Sequence, residues 1–290
     1  MLHFTKMNGA GNDFIVLDNS DGTLKLNKTQ IAKLCDRHHG IGADGLLILE
    51  LPQNSTNFRM RYYNADGSEA EMCGNGARCF GRFAANLSGK TKEVSFETPA
   101  GIITAQFIGT DVCIRMGNPH SLVINACVLD PEANQLLEAN LNLLDIDNLI
   151  DDHLLKIHTI NTGVPHAVVF VDDVEKIDVC NLGAKLRYHK YFKPQGRNIN
   201  FVEQIGKQDI KVRTYERGVE YETLSCGTGM VASALIFHKL FNATTPINVH
   251  VRSGDMLSVL FQQNNAIYQD VTLTGPAEIV FEGKIELTSQ

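Results

Sequence analysis

Stretches of alternating apolar and polar residues, rich in β-branched side chains, run through the first half of the chain and predict strands over residues 13–18, 46–51, 58–64, 92–98, 102–108 and 112–116. Helical spacing is confined there to two segments. Residues 26–38 place Leu26, Ile31, Leu34 and Cys35 on one face, and residues 77–87 follow a glycine-rich turn. After an acidic, leucine-rich stretch at 130–152, strands are predicted again at 155–160, 167–171, 200–205 and 210–216, with helices near 179–189 and 228–241.

The two halves read as one series repeated: strands, a helix, two strands, and a second helix entered through a cysteine and two glycines. Phe58-Arg-Met-Arg-Tyr-Tyr-Asn64 leads to Met72-Cys-Gly-Asn-Gly76, and Ile210-Lys-Val-Arg-Thr-Tyr-Glu216 leads to Ser225-Cys-Gly-Thr-Gly229. Cys73 and Cys226 lie 153 residues apart in a chain of 290, as a duplicated lobe requires. Glycine and proline interrupt the strand pattern at Gly117-Asn-Pro119. The expected division is therefore 1–118, carrying Cys73, and 119–290, carrying Cys226, with the last strands, about 275–290, able to pack back on the first lobe.

Composition narrows the class. A chain with 43% hydrophobic and 20% charged residues, 24 glycines and 8 prolines is globular in usage, and its length suits two lobes at about 150 residues per domain. The net charge of -7 argues against a nucleic-acid or membrane-surface partner and for a small molecule. Seven scattered cysteines and no charged-then-apolar leader after Met1 argue against a secreted disulfide framework, so the thiols are expected reduced in the cytoplasm. The most continuous apolar run, 46–51, contains Glu50 and is far short of the ~20 residues of a membrane span.

The candidate chemistry sits at the repeated turn. In Cys73-Gly-Asn-Gly-Ala-Arg78 the glycines allow a tight turn into a helix, which places the thiol at a helix N-terminus. Unpaired N–H groups and the positive end of the dipole favour a thiolate there. Cys226-Gly-Thr-Gly-Met230 repeats the arrangement. If the lobes pack face to face, two thiols and two nests of N–H donors serve one anionic ligand. Two acid/base groups flanking one carbon suit inversion: one thiolate removes a proton, the other thiol supplies one, and the N–H groups hold a carboxylate.

On these residues the chain resembles the diaminopimelate epimerase family. Gly11-Asn-Asp-Phe14, Asn64-Ala-Asp-Gly-Ser-Glu69, Cys73-Gly-Asn-Gly-Ala-Arg78, and Glu216-Arg-Gly218 with Cys226-Gly-Thr-Gly229 match its pattern in order, over most of the chain. The resemblance implies an α+β fold of two similar lobes, each a mixed sheet curled about a central helix, with the active site in the cleft. It implies interconversion of LL- and meso-diaminopimelate without pyridoxal phosphate or any other cofactor, by a homodimer. Residue by residue, it implies that Cys73 and Cys226 are the acid/base pair and that Gly74, Asn75, Gly227 and Thr228 cradle the α-carboxylate. Asn12, Asn64 and Asn198 match substrate-binding positions, Glu216 and Arg217 those for an ammonium and a carboxylate, and His166 a histidine that tunes the thiols. The chain departs from the pattern at Val164, where many members have asparagine, and at Gly45, where some have glutamine; Asn161 is a candidate to compensate. Gly117-Asn-Pro-His120 mimics the motif around His166, and is set aside because it precedes the expected boundary and lacks a following strand like 167–172.

Other readings are weaker. Gly40-Ile-Gly-Ala-Asp-Gly45 fits the nicotinamide-binding G-x-G-x-x-G, but a helix precedes it and a strand follows, the reverse of what that fingerprint needs. No metal is expected, since Cys73 and Cys79 lack a partner pair at zinc-site spacing. Cys35, Cys79, Cys113, Cys127 and Cys180 read as packing residues, and His38-His39 as the end of the 26–38 helix. The runner-up is the two-cysteine proline racemase and hydroxyproline epimerase family, in which histidine usually follows Cys-Gly where Asn75 stands here. A non-catalytic binding protein on the same scaffold has little need for both thiols.

Overall fold

A computed structural model of the protein describes residues 1–70, 72–124, 156–189, 192–265 and 267–287. The chain divides into two compact units, Met1–Arg115 with Thr272–Gln290, and Met116–Val271. In the first, β1 (Leu2–Gly9) and β2 (Asn12–Asn19) form an antiparallel hairpin, turned by Ala10 and Gly11 at φ 60 and 86. Next come α1 (Lys28–Cys35), β3 (Gly45–Glu50) parallel to β2, and β4 (Phe58–Asn64) antiparallel to β3. The end of β4 pairs with β5 (Glu69–Ala70), and its start pairs in parallel with β6 (Glu93–Thr98), the strand after α2 (Gly74–Ser88). Antiparallel β7 (Gly101–Ile108) and β8 (Asp111–Arg115) follow.

This mixed sheet wraps α2, which packs against β1, β2, β3, β4, β6, β7 and β8. Small residues make that possible: a methyl on Gly81 would lie 2.5 Å from Ala105 Cβ, closer than packed carbons tolerate. The helix stops at Gly89, whose φ of 70 is a left-handed cap.

The second unit repeats the series. After β9 (His120–Val123), β10 (Ile157–Asn161) pairs antiparallel with β11 (Pro165–Phe170). A 3-10 turn and α3 (Val179–Arg187) lead to β12 (Asn198–Gln204), parallel to β11, and to β13 (Asp209–Glu216), antiparallel to β12. The end of β13 pairs with β14 (Tyr221–Thr223), and its start pairs in parallel with β15 (Ile247–His250), the strand after α4 (Gly227–Phe241). β16 (Met256–Asn264), antiparallel to β15, and β17 (Ile267–Pro276) complete the series. Apart from the 3-10 turn, each element and each pairing sense from β10 to β15 has its counterpart between β1 and β6. Met230, Val231, Ala234, Leu235, Ile236 and Phe237 bury every side of α4, as a helix enclosed by a sheet requires. At Thr272 the chain rejoins the first unit: the end of β17 pairs with β8, and β18 (Glu278–Ile285) with β1.

Three expectations need correction. Gly117-Asn-Pro-His120 is followed by a strand, β9, which pairs with β10, and it lies in the second unit; neither reason for setting it aside holds. His38 and His39 do not end α1, which stops at Cys35; their N–H groups bind Asp36 Oδ1 in the turn beyond. Cys180 is half-exposed rather than packed, whereas Cys35, Cys79 and Cys113 are buried. The acidic stretch 130–152, Cys127 and Leu155 lie outside the described residues. Among the described residues no helix is long and apolar enough to cross a membrane.

Candidate active site

Cys73 and Cys226 are the N-cap residues of α2 and α4, each with an extended backbone, φ -133 and -123. Their carbonyls accept the first helical hydrogen bonds, from Ala77 at 2.8 Å and Met230 at 2.9 Å. The N–H groups before those, on Gly74, Asn75 and Gly76 and on Gly227, Thr228 and Gly229, therefore have no intrahelical acceptor. They form two donor nests at positive helix ends, suited to a carboxylate. Burial raises the thiols of Cys35 and Cys79 to about 12 and leaves them unionised.

Around Cys73 the first unit builds a charged brace. Asn12, at the start of β2, presents Oδ1 to Cys73 Sγ at 3.5 Å, and its Nδ2 donates to Asp44 Oδ2 at 2.7 Å. Asp44 and Asp13 exchange backbone-to-carboxylate bonds of 3.0 and 3.2 Å, and Arg37 bridges both carboxylates at 2.8 Å. Lys6, almost fully buried, pairs with Asp13 at 2.7 Å and donates to the Gly42 carbonyl. Burial alone would raise the Asp13 carboxyl, but the hydrogen bonds from Arg37 and Lys6 outweigh it and hold that group well below the carboxylate range. Asn75 is buried and accepts from Arg78 at 2.9 Å, so its side chain braces the helix while its N–H belongs to the nest. Asn64, exposed at the end of β4, donates to Ser68 at 3.2 Å.

Around Cys226 the second unit builds a neutral brace. His166, at 0% exposure on β11, contacts Thr228 Oγ1 through Nε2 at 3.0 Å and Asn200 Nδ2 through Nδ1 at 3.1 Å. Burial, reinforced by Arg217 and Arg197, lowers its pKa to about 3, so the imidazole is neutral at physiological pH. Thr228 Oγ1 lies 3.6 Å from Cys226 Sγ, and its carbonyl accepts from Thr162 at 2.8 Å. Asn198 is buried, and its Oδ1 accepts the Arg217 N–H at 2.8 Å, which fixes the turn after β13; Glu216 accepts from Thr223 at 2.9 Å. His120, the mimic of His166, is exposed and contacts its neighbour Ser121 at 2.9 Å. Burial and the Thr228 contact now distinguish the two motifs.

At the departures from the family pattern, Tyr62 fills the space beside Gly45: a methyl there would lie 2.7 Å from its ring. Asn161 Oδ1 accepts from Gly163 at 3.0 Å, which commits its oxygen to the turn before Val164. Sequence reasoning missed Lys6, Asp13, Arg37, Asp44 and Asn200, which orient the recognised residues. Asp44 was in view, but inside the segment read as a false nucleotide motif. Among the described residues, no three His, Cys, Asp or Glu side chains gather where they could hold a metal ion.

The architecture is an α+β fold shared with solved structures. A PhzF-family phenazine biosynthesis protein of Bacillus anthracis matches 98% of this chain and 99% of its own at TM-score 0.72 and 16% identity. A probable proline racemase from Agrobacterium radiobacter K84 matches 99% and 94% at TM-score 0.66 and 16% identity. Sequence narrows this further. The profile of the diaminopimelate epimerase family matches residues 4–122 and 158–280. The diaminopimelate epimerase of Aquifex aeolicus (strain VF5) is 40% identical over 296 residues, covering 98% of each chain. The chain belongs to the diaminopimelate epimerase family.

Proposed function

We propose that this protein interconverts LL- and meso-diaminopimelate by two-base acid/base catalysis at the α-carbon, in lysine and peptidoglycan precursor synthesis. The observation that carries the reading is the duplication itself: in a chain of this family, two cysteines cap the two central helices at equivalent positions. One sulfur takes the α-hydrogen as a thiolate while the other, as a thiol, returns a proton to the opposite face. The nests at Gly74 and Asn75 and at Gly227 and Thr228 stabilise the carboxylate as charge grows on it. Asn12, Asn64, Asn198, Glu216 and Arg217 bind the remaining polar groups of the substrate, Glu216 the ammonium and Arg217 a carboxylate. No cofactor takes part, and the enzyme works as a cytoplasmic homodimer.

The test is incubation with LL-diaminopimelate in heavy water. Formation of the meso isomer, with deuterium entering the α-position at the rate of inversion, supports the reading. Inversion without exchange, or no inversion, rejects it. Cys73→Ser and Cys226→Ser should each abolish epimerisation, because a serine hydroxyl is far less acidic than a thiol.

A further inference from the structure

The two helix N-termini agree in backbone and differ in what lies beneath their third residue. A methyl added at Gly76 would meet Phe14 Cε1 at 3.3 Å and Leu47 Cδ2 at 3.4 Å; at Gly229 it would meet Asn200 Oδ1 at 2.4 Å and His166 Cε1 at 3.3 Å. The pairs correspond in register. Phe14 on β2 faces Gly45 on β3, with Leu47 two residues on; His166 on β11 faces Asn198 on β12, with Asn200 two residues on. The duplicated position is apolar beneath α2 and polar beneath α4.

The polar pair has a direction. Asn200 Nδ2 lies 3.0 Å from the Ala167 carbonyl oxygen, which can only accept, so this end of the amide is the NH2 group. Its second hydrogen is donated to His166 Nδ1 at 3.1 Å, and its Oδ1 accepts the Thr214 hydroxyl at 3.0 Å. A neutral imidazole that accepts at Nδ1 carries its proton on Nε2 and donates it to Thr228 Oγ1 at 3.0 Å. The Thr228 hydrogen is then available to Cys226 Sγ at 3.6 Å. Cys73 meets the opposite polarity: Asp44 holds Asn12 Nδ2, so the oxygen of that amide faces Sγ at 3.5 Å. An oxygen acceptor binds S–H and repels a thiolate, whereas a hydroxyl donor favours the thiolate.

We propose that Asn200 is a positioning residue which, by fixing the proton of His166 on Nε2, aims the Thr228 hydroxyl at Cys226 and presets Cys226, with Cys73 held as the thiol, as the thiolate of the ligand-free protein. The proton lost by Cys226 goes to solvent. The inference rests on the two-thiol reading above and adds which sulfur begins as the base; the diastereomer that offers its α-hydrogen to Cys226 is the one the resting enzyme accepts.

Two spectroscopic measurements on the whole chain test this at neutral pH under reducing conditions. In protein with 15N-labelled histidine, with His166→Gln for assignment, the ring shifts of His166 should report the Nε2–H form alone, and Asn200→Leu should mix the tautomers. The far-ultraviolet thiolate band should vanish in Cys226→Ser and survive in Cys73→Ser. In Thr228→Val the pH at which the band is half-developed should rise by about one unit, so that the band at neutral pH falls, and in Thr228→Ser it should persist, since a hydrogen bond to a charged group is worth about tenfold in the ionisation equilibrium. Asn200→Leu should lower kcat at least tenfold with KM changed less than about threefold. The proposal is overturned by the Nδ1–H form in the unsubstituted protein, by no thiolate band, by a band lost with Cys73→Ser instead, or by one unchanged in Thr228→Val. If Asn200→Leu does not fold, the unsubstituted protein and the Thr228 pair still decide. Epimerisation by Cys226→Ser at the unsubstituted rate rejects the two-thiol reading instead, and leaves the tautomer result standing.

Discussion

Gly229→Ala sets two effects of known size against each other in the first turn of α4. Alanine removes the entropic cost of glycine in a helix, about 0.5–1 kcal/mol. Against this, the new methyl would stand 2.4 Å from Asn200 Oδ1, well inside contact distance. Asn200 has no inexpensive way to yield: it is fully buried and bonded to Ala167, His166 and Thr214 at 3.0, 3.1 and 3.0 Å. Displacing it strains or breaks buried hydrogen bonds at about 1–3 kcal/mol each, so the clash wins by about 1–2 kcal/mol net. Gly76→Ala is the matched control, at the same position of α2. It gains the same helix propensity, but its methyl meets only the far ends of Phe14 and Leu47, at 3.3 and 3.4 Å, which can give by a few tenths of an ångström. Urea unfolding followed by circular dichroism should place Gly76→Ala within about 1 kcal/mol of the unsubstituted protein and Gly229→Ala clearly below it, with m unchanged. Equal midpoints for the two variants, or a Gly229→Ala more stable than its parent, would refute the view that Asn200 is rigidly held.

Arg213 donates to both oxygens of Glu222, at 2.6 and 2.7 Å, and to the carbonyls of Val174 and Ile177, so Arg213→Met should cost about 3–5 kcal/mol in thermal or urea unfolding. A loss below about 1 kcal/mol would mean that the pair is effectively solvated. Burial holds His158 down to about 4 and His166 to about 3, so both stay neutral when folded, while an unfolded imidazole takes a proton below about pH 6.5. Stability should therefore fall as the pH drops from about 6.5 toward those folded values, by about 2 kcal/mol per histidine at pH 5. His158→Asn should lessen the slope of urea stability against pH, and an unchanged slope would count against a buried neutral imidazole at 158. The lowered Asp13 carboxyl works in the other range: its contribution is present above about pH 4 and is lost as the pH falls further, so Asp13→Asn should flatten the acid limb below pH 4.

Elements governed by local pattern were legible in the sequence; those governed by partners were not. Residues 58–64 alternate cleanly and form β4 at those limits, and the helix near 228–241 differs from α4 by one residue. β1 was invisible because Lys6 breaks its apolar pattern, and that lysine is buried only because Asp13 and the Gly42 carbonyl receive its charge. β15 to β17 fall between the last predicted helix and the last strands expected at about 275–290, and several of their large apolar residues, Met256, Leu260 and Ile267, are exposed, which blurs the two-residue period that marks a strand. Of the candidate site, the two thiols announced themselves because they are repeated. The residues that orient Asn12 and His166 did not, since Asp44 and Asn200 act across strand pairs that no local pattern reveals.

The repeat also explains why the difference between its halves stayed hidden. Gly45, Leu47 and Gly76 correspond to Asn198, Asn200 and Gly229 at the same spacing as the two cysteines, but Phe14 corresponds to His166 one residue closer, because, between these paired residues, the connection from β11 to β12 is one residue longer than that from β2 to β3. A fixed offset therefore sets Phe14 against Ala167 and conceals the exchange of an aromatic ring for an imidazole. Register restores it. Duplication supplied two equal backbone caps, and a glycine at the third position of each helix lets a side chain from the neighbouring strand approach. Beneath α2 that approach is used for packing by Phe14 and Leu47; beneath α4 it is used by His166 and Asn200 to carry a hydrogen-bond direction. An enzyme that inverts a centre with two thiols needs one of them ionised and the other protonated at the start of each turnover. Two identical half-sites have no means of choosing between them, and in the proposal above the polar pair beneath α4 provides the bias.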